Sequence, residues 1–107
     1  GERMLMYFAL DGRPMGSELS GWQGERSFNV SVAGTEKLVS VELVRNNEVV
    51  ASVAPGAKTF IGELSDDQPM DGLMLAPHFD DRPFCFYYLR AKQADGAMAW
   101  ASPIWLT

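Results

Sequence analysis

His78 is the only histidine in the chain, so triad chemistry would have to be built around it. Ser65 or Ser102 would serve as nucleophile, with a neighbouring aspartate orienting the imidazole. Nothing in the spacing of these residues supports that arrangement, and a histidine directly after Pro77 reads as a solvent-facing loop residue. A His-rich zinc site lacks its partners for the same reason. Six acidic residues, Glu63, Asp66, Asp67, Asp71, Asp80 and Asp81, occur in a stretch without Lys or Arg. They offer the oxygen ligands that calcium takes, but DDQPMDG lacks the alternating spacing of a calcium loop. The stretch therefore reads as a solvated surface, and no metal or other cofactor is expected. Trp22, in SGWQGE, is a candidate ligand contact: a loop tryptophan can stack on a sugar or aromatic ring, or cap the end of a core. The Gly-rich GRPMGSELSGWQG matches neither phosphate-binding glycine pattern.

The elements that would hold these residues are strands. Helix-period segments are missing, while short β-branched and aromatic runs recur between turn signals. Met4 to Leu10 reads as a strand closed by Asp11-Gly12, and Ser27 to Ala33 alternates, with Phe28, Val30 and Val32 on one face. Leu38 to Arg45 and Glu48 to Val53 flank Asn46-Asn47, a pair that tolerates the positive φ of a two-residue hairpin turn. After Pro55-Gly56, KTFIGEL and LMLAP (Leu73 to Pro77) read as weaker strands. Phe84 to Ala94 and Ala97 to Leu106 flank Asp95-Gly96 as a final hairpin. Seven to eight antiparallel strands in one domain predict an all-β, immunoglobulin-like or fibronectin III-like two-sheet sandwich.

A two-residue loop at Asp95-Gly96 would pair Ala91 with Trp100, Leu89 with Ser102, Tyr87 with Ile104 and Phe86 with Trp105. The face with Cys85, Tyr87, Leu89, Ala91, Met98, Trp100, Ile104 and Leu106 is the more apolar and is placed on the core. Tyr87 there is a candidate corner tyrosine. The opposite face carries Phe84, Phe86, Tyr88, Arg90, Lys92, Pro103 and Trp105, an aromatic stripe that fades to cations. A stripe of this kind marks a contact site, so Phe86, Tyr88, Arg90 and Trp105 are the candidate interface. The competing expectation is a bulge at Ser102-Pro103 that turns Trp105 into the core.

With 107 residues, 47% of them hydrophobic and 21% charged, the chain fits one globular domain spanning 1–107. A net charge of −5 supplies no basic patch for nucleic acid, and no apolar run is long enough to span a bilayer. Cys85 has no internal disulfide partner and sits in FCFYYL as a small buried hydrophobe. Beginning on Gly1 and entering a strand almost at once, the sequence reads as a fragment of a longer protein.

The segments RPMGS, V-x-V-x-G-T, VELVRNNE and YY-x-R…Q-x-DG-x-x-AW-x-SPIW resemble the C-terminal sandwich of bacterial metallohydrolases. The superfamily is that of the polymerase and histidinol phosphatases (PHP), near the carbaryl-hydrolase-like enzymes. The matching positions include Pro14, Gly16, Val30, Gly34, Tyr87, Tyr88, Arg90, Asp95, Gly96, Trp100, Ser102, Pro103, Ile104 and Trp105. The resemblance implies a non-catalytic accessory domain that packs against the catalytic domain of the same parent chain. The metal motifs of such a parent are absent from this sequence. The alternative is a carbohydrate- or surface-ligand-binding module, with a small ligand as partner.

Overall fold

A computed structural model describes residues 4–75 and 83–107; His78, Asp80, Asp81 and the end of the strand expected at Leu73 to Pro77 lie outside them. Strand β1 (Leu5–Leu10) turns through Asp11 and Gly12, both at positive φ, into the short β2 (Arg13–Pro14). β3 (Glu18–Leu19) follows, then the alternating β4 (Arg26–Ala33). β5 (Leu38–Arg45) and β6 (Glu48–Val53) form the expected hairpin, with Asn46 and Asn47 at φ 50° and 69°. That is the left-handed pair a type I′ turn demands. β7 (Thr59–Asp66), β8 (Cys85–Gln93), β9 (Met98–Trp100) and β10 (Ile104–Leu106) complete the chain.

The strands form two sheets, ordered β2-β1-β4-β7 and β3-β10-β8-β5-β6, with β9 pairing β8. The chain crosses between them after β2, β3, β4, β6 and β7, giving the all-β, immunoglobulin-like sandwich expected from the alternation. Two differences are local. β3 runs parallel to β10, and Leu73 to Leu75 is no strand, holding a single bridge from Leu75 to Phe84. Leu73 instead closes a turn onto the Met70 carbonyl, with its side chain buried in the core.

Inward-facing residues of both sheets fill the space between them. Phe8, Phe28, Val30 and Val32 meet Val41, Leu43, Tyr87, Leu89, Ile104 and Leu106. Phe28 lies 4.7 Å from the Tyr87 ring and 5.8 Å from Phe8, so the period-2 pattern becomes an interlocked core. At one end the fully buried Gln93 accepts the Thr35 N–H at 2.7 Å. Gly34 makes this approach possible, because a β-carbon there would stand 2.5 Å from Gln93 Oε1.

The final hairpin departs from the two-residue loop. Gln93 N donates to Ala97 O, Gly96 N donates to Gln93 O, and Gly96 has φ 90°, a three-residue loop with glycine in the left-handed position. The register slips by one, so Arg90 faces Trp100 and Ala91 faces Ala99. One extra residue between Trp100 and Ile104 then restores the expected pairs, Ile104 with Tyr87 and Trp105 with Phe86. A bulge therefore does sit beside Pro103. Its effect is to return β10 to the expected register, so Trp105 stays outside.

Candidate functional site

The outer face of the second sheet is built in lateral rows fixed by strand register. Trp105 sits beside Phe86; Tyr88 beside Val44 and Val49; Trp100 beside Arg90, which pairs with Glu42. The rings form one connected cluster. Trp105 lies 5.3 Å from Phe86 and 5.7 Å from Phe84, and Phe86 lies 6.3 Å from both Phe84 and Tyr88. Ring pairs of this kind contribute about 0.5–1.5 kcal/mol each beyond area burial, so the cluster is held in place before anything touches it. Arg90 Nε donates to Glu42 Oε1 at 2.7 Å and its pKa is raised by that bond, which closes the aromatic end with a neutralised pair.

Phe86, Tyr88, Arg90 and Trp105 thus share one face. The sequence assignment of Met98 and Trp100 to the core is overturned: they are 43% and 59% exposed. The three-residue loop is the cause, since a one-residue slip sends a strand's side chains to the opposite face. Trp100 extends the aromatic face towards Arg90, and Val49, 42% exposed, widens it towards the edge of the sheet.

A buried ionic cluster behind this face ties the sheets together. Asp66 Oδ2 accepts from the Tyr87 hydroxyl and from Arg45 Nη1, both at 2.6 Å, and lies 3.3 Å from Arg26 Nη2. Arg26 also donates to Tyr87 Oη and to the carbonyls of Gly24 and Gln68. Burial pushes the Asp66 carboxyl up, but the Tyr87 and Arg45 bonds outweigh it and hold it below the usual carboxylate range. Burial, then the bond to Asp66, raises the Tyr87 phenol. Tyr87 therefore bonds side chains from two other strands, Arg26 of β4 and Asp66 of β7, where a corner tyrosine would bond nearby backbone. Burial pushes the Cys85 thiol up to about 11, leaving a packing residue rather than a nucleophile.

The cluster also bears on the acidic stretch. Asp66 is committed to two arginines and a phenol, and among the described residues no three His, Cys, Asp or Glu gather as metal ligands. Ser65 bonds Ser27, which donates to Glu63, while His78 lies outside the described residues. Trp22 is half-buried against the core. It lines a cleft of about 550 Å³ with Gln23, Gly24, Pro69, Met70 and Asp71, and its Nε1 is buried without a hydrogen-bond partner. No helix among the described residues is long and apolar enough to cross a membrane.

No family model matches the chain. It is similar to uncharacterised proteins of Chlamydia trachomatis and Chlamydia muridarum, each 40% identical over 111 residues, and of Chlamydia pneumoniae, 41% identical. Each match covers 99% of this chain and 18% of the relative. The resemblance to a PHP-superfamily metallohydrolase is corrected by these relatives, which do not suggest such an enzyme. Its residues, DG…AW and SPIW, occupy the turn, bulge and rows of the last hairpin, a structural role that carries no hydrolase signal. What the comparisons leave in place is a sandwich that spans about 18% of the length of the curated relatives it matches.

Proposed function

We propose that this domain is a non-catalytic packing module whose outer aromatic face seats on another part of a longer protein. The observation that carries the reading is the connected cluster of Phe84, Phe86, Tyr88 and Trp105, continued by the 59%-exposed Trp100. Rigid, half-exposed aromatics of this density are what interface anchors are made of. The greater length of the relatives supplies a reason for a covering surface to exist in cis. The test expresses the domain and the remainder of its gene product as separate polypeptides and measures their association by calorimetry. Binding that is lost in the Trp100→Ser/Trp105→Ser double variant supports the reading. Absence of association, or association indifferent to both substitutions, refutes it.

The cleft at Trp22 favours a second reading, a module for a carbohydrate or other small ligand. A tryptophan beside Gln23 and Asp71 combines an apolar ring with polar groups of both kinds, the composition of a small-ligand site. A glycan and small-ligand thermal-shift screen checks it, since a ligand that binds the folded state alone raises the melting temperature. The Trp22→Ala variant must abolish any such shift.

A further inference from the structure

β7 is the last strand of the first sheet. One edge is paired with β4 from Arg26↔Asp66 to Ala33↔Thr59 without a register shift, and among the described residues no strand pairs with the other. One bond fixes the parity of that free edge. Gly34 N donates to Lys58 O at 2.7 Å, one step beyond the Ala33↔Thr59 pair, so Gly34 and Lys58 are a hydrogen-bonded pair. Bonded and non-bonded pairs alternate along an antiparallel ladder. Phe60, Gly62 and Leu64 therefore turn their peptide groups to β4, while Thr59, Ile61, Glu63 and Ser65 turn theirs outward. The side chains of these four are also exposed, Ile61 by 83%. Edges are normally blunted by charged side chains, lysine above all, or by proline, a bulge or shortness; TFIGELSD is eight residues without lysine, proline or bulge, and Glu63 is its one exposed charge.

We propose that β7 pairs antiparallel with β7 of a second copy, about a two-fold axis at Ile61, joining the two first sheets edge to edge. The strand is its own complement in this register. Ile61 faces Ile61, Thr59 faces Glu63, and Phe60 faces Gly62, whose missing side chain is already covered by the Phe60 ring of its own strand, 2.9 Å from where a β-carbon would stand. Centring the axis on Glu63 would set two carboxylates opposite each other, and centring it on Gly62 would set Ile61 against Glu63. Three bonded pairs supply about six backbone hydrogen bonds. The row Tyr7–Ser31–Ile61 becomes continuous across the axis, covering the most exposed apolar side chain of the described residues with its own copy. The surface lies on the sheet opposite the aromatic face and is independent of it.

Sedimentation velocity on the 107-residue chain, from micromolar to millimolar concentration, tests the proposal. The expected result is a mass rising from 11.8 kDa to twice that value, with the amides of Thr59, Ile61 and Glu63 gaining hydrogen-exchange protection as the dimer forms. Ile61→Lys, at a site too exposed to affect folding, should weaken dimerisation at least about tenfold. A monomer throughout, a dimer that survives Ile61→Lys, or one lost instead in Trp105→Ser overturns it.

Discussion

Replacing Asp66 by asparagine keeps the shape of the side chain and removes the one negative charge that two buried guanidinium groups share. Arg26 and Arg45 are 1% and 8% exposed at the side chain and Asp66 is 6% exposed, so water cannot take over from the lost carboxylate. Breaking a buried ion pair by neutralising one partner costs about 3–5 kcal/mol. Against the roughly 5–15 kcal/mol that holds a typical domain folded, this is a large share. At about 4–8 °C per kcal/mol for a domain of this size, the melting temperature should fall by about 12–40 °C. Urea unfolding followed by tryptophan fluorescence should show the midpoint falling by about 2 M for a slope of 1–3 kcal/mol/M. The internal control is Glu42→Gln, which breaks the pair with Arg90, whose partners are 30% and 23% exposed, and should cost less than about 1 kcal/mol. A loss for Asp66→Asn no larger than that of the control would refute the account of the cluster as the tie between the sheets.

The same carboxyl makes stability depend on pH. Its pKa is lower in the folded than in the unfolded state, so its contribution is fully present above the unfolded value and is lost as pH falls through the folded one. Urea midpoints measured below about pH 4 should therefore drop steeply in the parent and less steeply in Asp66→Asn. Gly34→Ala should destabilise by about 1–3 kcal/mol, because its β-carbon would press on Gln93 Oε1 at 2.5 Å and on Leu38 and the Glu36 carbonyl at 3.1 Å; equilibrium unfolding checks it. Cys85, fully buried with its thiol pushed up to about 11, should resist alkylation at pH 8 in native protein and react once urea unfolds it, as mass spectrometry would show. Trp100→Ser should change the stability of the isolated domain by less than about 1 kcal/mol, whereas Leu89→Ala, at a site with no exposure, should cost about 2–5 kcal/mol.

The sandwich was legible in the sequence because alternation sets which side chains lie inside, and the Asn46-Asn47 turn fixes one hairpin outright. That Phe86, Tyr88 and Arg90 share one face was legible for the same reason, the outward parity of β8. Trp100 was misplaced because Asp95-Gly96 fits both a two-residue loop and the end of a three-residue one, and that single residue decides a face. The ionic cluster follows the same parity. Arg26 is in phase with Phe28 and Val30, Arg45 with Val41 and Leu43, and Asp66 with Leu64, so parity alone directs all three inward. The acidic stretch around Asp66 points to the surface instead, and a buried charge declares itself only once its partners are known. The family resemblance failed because the residues that carried it serve a turn and a bulge, which unrelated sandwiches can share.

Whether the aromatic face is covered by another part of a longer protein, as proposed, is measured most directly by hydroxyl-radical footprinting of Trp100 and Trp105, in the 107-residue domain and in the full product of its gene. Both rings are exposed in the domain, 59% and 37%, and should be oxidised there. Both should become protected in the full gene product while Ile61, on the opposite sheet, is not covered by the same contact. Equal oxidation of the two tryptophans in both forms would contradict it.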